Sequence, residues 1–126
     1  MSDVRFLVVD DSPSMRQLIT VSLKRIPNAK IVEASDGASA LKKIKDEKFD
    51  LIIADINMPL IDGLKLVSIV RSNPATKNIP IVIVTTEGSE HDRDKGLSLG
   101  ANAYLSKPVQ SSALLKVVQD LLNTHA

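Results

Sequence analysis

A regular alternation of short apolar runs with longer stretches of helical periodicity constrains this chain more than any other feature. Three of the runs are rich in Val and Ile and lack polar alternation, as is typical of strands buried on both faces. Strands alternating with helices predict a parallel sheet covered by helices on both faces. The apolar runs are Phe6–Val9, Ile31–Ala34, Leu51–Ala54, Ile81–Val84 and Ala103–Leu105.

Helical stripes fill the intervals between these runs. The first helix is predicted over Pro13–Arg25, with Ser12 as its N-terminal cap and the proline in its first turn. A second helix is indicated after the pair Asp36-Gly37. The other apolar stripes lie in Ala38–Ile44, Leu64–Val70 and Leu114–Leu121.

The fourth predicted helix, Glu90–Leu99, differs from the rest because it is almost entirely polar. Ser89 and Asp92 have the spacing of a capping box, and Gly100 is placed to end the helix. No large apolar residue occurs in this segment before Leu97. We therefore expect a helix that buries little surface and moves at low cost.

Composition excludes several classes of protein. The 126 residues suit one domain, and 16 Lys+Arg against 15 Asp+Glu give a net charge of +1, which argues against a general nucleic-acid binder. Without cysteine, the chain has no disulfide framework and no thiolate metal site. Its apolar runs are too short to cross a bilayer, and its first residues do not resemble a signal peptide, so a cytoplasmic location is expected.

Polar side chains follow several of the predicted strands. They are Asp10-Asp11 after the first, Asp55 after the third, Thr85-Thr86 after the fourth and Ser106-Lys107-Pro108 after the fifth. Since functional sites of open α/β sheets lie beyond the carboxyl ends of the strands, these residues are predicted to share one rim.

The charges at this rim indicate a magnesium site. Asp10, Asp11 and Asp55 carry −3 and Lys107 returns +1, so the remainder matches one Mg²⁺, which prefers a few carboxylates, water and phosphate oxygens. A carboxylate can attack phosphorus and become an acyl phosphate. Asp55 stands alone on its strand and is the preferred nucleophile, with Lys107 and Thr85 placed to stabilise the transferring group.

The order of these motifs resembles the receiver domain of bacterial response regulators, and most closely its stand-alone chemotaxis type. The resemblance implies a flavodoxin-like (βα)5 sandwich whose five-stranded parallel sheet has the order 2-1-3-4-5. Residues 1–126 would form one receiver domain without an output domain. The matching segments are VVDD at residues 8–11, DINMPLIDG at 55–63, IVIVT at 81–85 and YLSKP at 104–108.

The resemblance also implies roles at the metal site. Asp55 would be the phosphoryl acceptor and a metal ligand. Asp11 would bind Mg²⁺ directly, Asp10 largely through metal-bound water, and Asn57 through its backbone carbonyl.

Three further residues would respond to the phosphoryl group. Lys107 would pair with it, and the Lys107–Pro108 peptide bond would be cis. Thr85 would turn its hydroxyl toward it, and Tyr104 would rotate inward as the switch.

The implied function is that of a stand-alone response regulator in a two-component phosphorelay. A histidine kinase would donate the phosphoryl group, and a partner protein would bind the face formed by the fourth helix, the fifth strand and the last helix. The protein would be a monomer without nucleic-acid or membrane partners. It would not be an enzyme, although it would catalyse its own phosphoryl transfer and autodephosphorylation.

Three alternative functions stay open at this point. A phosphatase forming an aspartyl phosphate would need a DxD motif where this chain has DDS, and a nucleotide or flavin binder would need a glycine-rich phosphate loop. The third alternative is a receiver that acts as a scaffold without phosphorylation.

Thr86 and Ile56 depart from the residues usual in chemotaxis regulators, and Asn57 and Glu87 flank the site where water would attack.

Overall fold

Five strands and five helices alternate through the part of the chain that the structure describes, as the hydropathy pattern predicts. The computed structural model describes residues 3–86 and 89–124. All neighbouring strands pair in parallel, in the order β2-β1-β3-β4-β5, which confirms the flavodoxin-like sandwich. The elements are β1 Val4–Val9, α1 Pro13–Leu23, β2 Ala29–Ala34, α2 Gly37–Asp46, β3 Leu51–Asp55, α3 Gly63–Ser72, β4 Ile81–Thr85, α4 Glu90–Leu99, β5 Ala103–Ser106 and α5 Ser111–Thr124.

Successive side chains of the central strands enter two separate cores. Phe6 and Val8 of β1 pack with α1 and α5, whereas Leu7 and Val9 pack with α2 and α3 on the opposite face. The alternation follows from the two-residue repeat of a strand. Because both faces of the sheet are covered, the run Phe6–Val9 contains no polar residue. Within the two described ranges, no helix is long and apolar enough to cross a bilayer.

Short polar side chains cap the first three helices, and the cap at Ser12 confirms the prediction. The Ser12 hydroxyl accepts a hydrogen bond from the Met15 N–H at 3.3 Å, and the Asp36 carboxylate accepts one from the Ser39 N–H at 2.7 Å. Helix α1 ends at Leu23 instead of the predicted Arg25. The N–H of Arg25 bonds to the carbonyl three residues back instead of four, which is the tight final turn of a helix.

Helix α4 has the predicted bounds but not the predicted cap. Among the described residues, nothing donates to the Ser89 side chain to cap the helix, so the expected capping box is wrong. The predicted end is confirmed, because Gly100 has a φ of 119°, which favours glycine. Gly96 is the one buried residue of α4, and a Cβ there would lie 2.4 Å from Ile83 Cδ1. This helix therefore contacts the sheet closely at its C-terminal half and buries little elsewhere.

Arg71, at the end of α3, fixes the C-terminal end of α4. Its Nε donates to the Gly100 carbonyl at 2.9 Å, and its Nη1 donates to the Ile79 carbonyl at 2.7 Å. Its Nη2 donates to Asn102 Oδ1 at 2.8 Å, and the same oxygen accepts the Ile81 N–H at 2.8 Å. One guanidinium thus joins the end of α3 to the segments that precede β4 and follow α4.

Replacing either of two buried threonines by valine should change the free energy of unfolding, but in opposite directions. Among the described residues the Thr20 hydroxyl on α1 has no hydrogen-bond partner, whereas the Thr76 hydroxyl donates to the Val70 carbonyl at 2.8 Å. Replacing an unpaired buried hydroxyl by a methyl group removes a desolvation cost, so Thr20→Val should raise the free energy of unfolding by about 1 kcal/mol. Thr76→Val should lower it by about 1–2 kcal/mol, because it breaks a bond and leaves a carbonyl unpaired.

Urea unfolding of the two variants beside the wild type measures both effects, since the side chains are equally buried and the substitution is the same. A loss of stability in Thr20→Val would show that its hydroxyl is satisfied in solution.

Candidate functional site

Three carboxylates converge where β1 and β3 end side by side. Asp10 and Asp11 follow β1, and Asp55 is the last residue of β3. Each offers an oxygen, and these three oxygens lie within 4.8 Å of one another. Asp10 and Asp55 are each only 1% exposed, while Asp11 lies at the exposed rim. At such separations like charges repel by a few kcal/mol even near a protein surface, so the cluster needs a positive partner.

Asp55 is held by one donor on each of its carboxylate oxygens. The Asn57 N–H donates to Oδ1 at 3.0 Å, and the Lys107 ammonium donates to Oδ2 at 3.0 Å. The start of α3 lies directly behind it, where a Cβ on Gly63 would come within 2.5 Å of the Asp55 carbonyl oxygen. The carboxylate is therefore fixed in direction, and glycine at position 63 permits the close approach of the helix.

Asp10 carries charge that its protein neighbours do not balance. Its Oδ1 accepts the Ser12 N–H at 2.8 Å, but its Oδ2 is buried without a hydrogen-bond partner among the described residues. Burial raises the pKa of the Asp10 carboxyl, and the negative charges of Asp55 and Asp11 raise it further. A divalent cation fits this set, because it would use the unpaired oxygen and remove the repulsion between the carboxylates.

Thr85 and Lys107 stand next to each other beside the cluster. Thr85 ends β4 and is buried, and its carbonyl accepts the Lys107 N–H at 2.8 Å. The Lys107–Pro108 peptide bond is cis, which confirms the expectation from the resemblance. The lysine side chain is 28% exposed, whereas the Asp55 side chain that it contacts is 1% exposed.

Asn57 and Thr86 form a bridge between the loops that follow β3 and β4. The Asn57 side-chain amide donates to the Thr86 hydroxyl at 2.8 Å, and both residues are exposed. Ile56 is buried in the core on the α2–α3 side of the sheet, so an aliphatic residue fits there. Glu87, the other residue expected to influence attack by water, lies outside the described residues.

Tyr104, the expected switch residue, is 38% exposed on β5. The guanidinium carbon of Arg93 lies 5.2 Å from the centroid of its ring. Beside the ring is a cleft of about 210 Å³ between α4 and β5, and Thr85 forms part of its lining. The contact between residues 93 and 104 could not be predicted from the sequence, because no periodicity relates a helix to the following strand.

The structure thus brings together the three predicted carboxylates and Lys107, while Thr85 bonds to Lys107 through the backbone and lines the cleft beside Tyr104. Asp10, Asp11 and Asp55 form the acidic cluster, and Lys107 contacts it directly. The arrangement combines a carboxylate that is held by two hydrogen-bond donors, a cluster of carboxylates that could hold a cation, and an ammonium group. These are the groups needed for phosphoryl transfer to a carboxylate.

Comparisons with known proteins agree with this geometry. Residues 6–119 match the family described as the response regulator receiver domain. The chain is 38% identical over 124 residues to the chemotaxis protein CheY1 of Helicobacter pylori, covering 97% of this chain and 99% of that protein. It is 37% identical over 122 residues to a chemotaxis protein CheY homolog of Campylobacter jejuni, covering 96% and 94%.

A solved structure shows the same fold. The chemotaxis response regulator CheY4 of Vibrio cholerae aligns with a TM-score of 0.87 and 37% identity, over 95% of this chain and 99% of that one. The chain therefore belongs to the response regulator receiver domain family and is a homologue of the CheY chemotaxis regulators.

Proposed function

We propose that Asp55 accepts a phosphoryl group from a phosphohistidine of a histidine kinase, with Mg²⁺ bound beside it. The observation that carries this proposal is the buried Asp55 carboxylate, held between the Lys107 ammonium and the carboxylates of Asp10 and Asp11. A scaffold that is never phosphorylated would have no use for two buried, mutually repelling carboxylates. The scaffold alternative is therefore not favoured.

The residues that would hold Mg²⁺ are Asp10, Asp11, Asp55 and the backbone carbonyl of Asn57. The unpaired Oδ2 of Asp10 and the close approach of the three carboxylates support this set. When bound, the cation neutralises charge on the transferring phosphoryl oxygens. Asp11, the exposed member, gives the site an open side through which solvent and a phosphodonor reach it.

In the transfer step, an Asp55 carboxylate oxygen forms a bond to phosphorus while the bond from phosphorus to the donor imidazole nitrogen breaks. The imidazole leaves with the electron pair, and the product is an acyl phosphate. Lys107 is placed to stabilise the negative charge of the transferring phosphoryl group, because its ammonium already contacts Asp55 Oδ2. The Thr85 hydroxyl would then bond to a phosphoryl oxygen.

The output of the protein would be a change of surface. Movement of Thr85 toward the phosphoryl group opens room for the Tyr104 ring in the adjoining cleft, which alters the face formed by α4, β5 and α5. A partner protein would read this face. We propose that the protein is a cytoplasmic monomer, that residues 1–126 act as one receiver domain, and that it catalyses its own dephosphorylation.

Phosphorylation of Asp55 is tested with acetyl phosphate and Mg²⁺, followed by intact mass. Wild-type protein should gain the mass of one phosphoryl group, and hydroxylamine should remove it because the product is an acyl phosphate. Asp55→Asn should gain none, because an amide does not attack phosphorus. The matched control is Asp46→Asn, which changes an exposed aspartate at the end of α2 and should be phosphorylated like the wild type.

Two results would contradict the assignment. The first is a hydroxylamine-sensitive adduct on Asp55→Asn, which would place the acceptor elsewhere. The second is a wild-type protein that neither takes up the phosphoryl group nor binds beryllofluoride.

Removing one carboxylate should stabilise the metal-free protein and abolish its response to Mg²⁺. In a chelator, Asp10→Asn should raise the free energy of unfolding by about 1–3 kcal/mol, because it removes repulsion among buried carboxylates. Mg²⁺ should stabilise the wild type by ligand binding and leave the variant unchanged. Asp120→Asn, at an exposed position on α5, should behave as wild type in both conditions.

The advantage of Asp10→Asn should depend on pH with a defined sign. Folding raises the pKa of Asp10 above its ordinary value of 3.8, so the ionised carboxylate lowers the free energy of unfolding. This loss of stability disappears as the pH falls and the carboxyl becomes protonated in the folded protein. The stability difference in chelator should therefore shrink as the pH falls from 7.5 toward 4.5. A difference that grows over that range in urea titrations would refute the unbalanced charge on Asp10.

A further inference from the structure

Arg93 is the side chain of α4 that contacts the switch aromatic. Its guanidinium carbon lies 5.2 Å from the Tyr104 ring centroid, within the range of a cation–π interaction. Its Nε donates to Asp94 Oδ1 at 3.0 Å, which also restrains the guanidinium. The Arg93 side chain is 31% exposed, so the contact forms at the surface and not in the core.

The Tyr104 ring has an alternative position in the neighbouring cleft. The cleft between α4 and β5 adjoins the ring, with Thr85 and Ser106 from the sheet and Ser89 and Glu90 from the start of α4 among its lining residues. The Arg93 contact therefore competes with entry of the ring into this space.

We propose that Arg93 is a positioning residue that holds the Tyr104 ring at the surface in the unphosphorylated protein. It acts through the ring and touches neither the phosphoryl group nor the metal ligands. Its effect on signalling rests on the function proposed above, but its hold on the ring does not. By favouring the surface position, Arg93 sets how much phosphorylation is needed to bring the ring inward.

The packing of α4 explains how this hold is released. The C-terminal end of the helix is fixed by the close contact at Gly96 and by the bond from Arg71 to Gly100. The half that carries Arg93 has no buried side chain, and among the described residues Ser89 receives no capping bond. A small movement of this half would withdraw Arg93 from the ring while the anchored end stays in place.

The expected size of the effect is modest. An exposed cation–π contact corresponds to about a two- to fivefold change in the ratio of surface to inward ring positions. That range suits a switch, because a phosphoryl group that forms several charge-assisted hydrogen bonds can overcome it.

The composition of the chain provides a direct probe of the ring. Tyr104 is the one tyrosine of the sequence, and there is no tryptophan. Incorporation of 3-fluorotyrosine therefore places a single ¹⁹F resonance in the protein, on the ring in question. The variants are Arg93→Gln, which removes the cation, and Arg93→Lys, which keeps it. Lys95→Gln is the matched control, because it removes the same charge from an exposed position on the same helix.

The first measurement uses metal-free protein in a chelator, so it does not depend on phosphorylation. In Arg93→Gln the resonance should shift toward that of an inward ring, and the ratio of surface to inward ring positions should fall about two- to fivefold. Arg93→Lys should move it less, and Lys95→Gln should match the wild type. An Arg93→Gln spectrum identical to that of the wild type overturns the proposal.

The second measurement titrates beryllofluoride in the presence of Mg²⁺. Arg93→Gln should need about two- to fivefold less beryllofluoride than the wild type for half of the resonance shift. An equal requirement, despite a released ring, overturns the coupling to the switch. A wild type that does not respond to beryllofluoride, beside a released ring in metal-free Arg93→Gln, refutes the proposed function and supports the hold of Arg93 on Tyr104.

Discussion

Repulsion among Asp10, Asp11 and Asp55 is the interaction on which the rest of this structure depends. Two of these carboxylates are buried, yet the described residues supply them with one ammonium and two backbone N–H donors. Such an arrangement costs stability unless a cation completes it. The surrounding fold must therefore be stable enough to hold the three groups together, and the two apolar cores on either side of the sheet provide that stability.

The sequence predicts the fold and the site through one simple geometric rule. Parallel strands end at the same edge of a sheet, so residues far apart in the chain, such as Asp10 and Lys107, become neighbours once the strands are identified. Apolar runs identify the strands reliably here because both faces of the sheet are covered. The strand order itself came from the resemblance, since hydropathy does not distinguish among the possible orders.

Contacts between side chains from different loops and helices could not be predicted in this way. The bonds of Arg71 to the end of α4, the bridge from Asn57 to Thr86, and the placement of Arg93 over Tyr104 depend on rotamers and on the docking angle of a weakly packed helix. The missing cap at Ser89 has the same origin. Its spacing to Asp92 fits a capping box, but the backbone of Ser89, with a φ of −91° and a ψ of 56°, does not present the hydroxyl to the helix.

The uneven packing of α4 has a consequence for how such a domain can diversify. Its first six residues contribute almost nothing to the core, whereas Gly96 and Gly100 bear the contacts that fix the helix. Substitutions in the first part should therefore alter the surface offered to a partner with little loss of stability. Under the proposed function, partner recognition and folding would depend on different halves of one helix, so new partners could be acquired without rebuilding the scaffold.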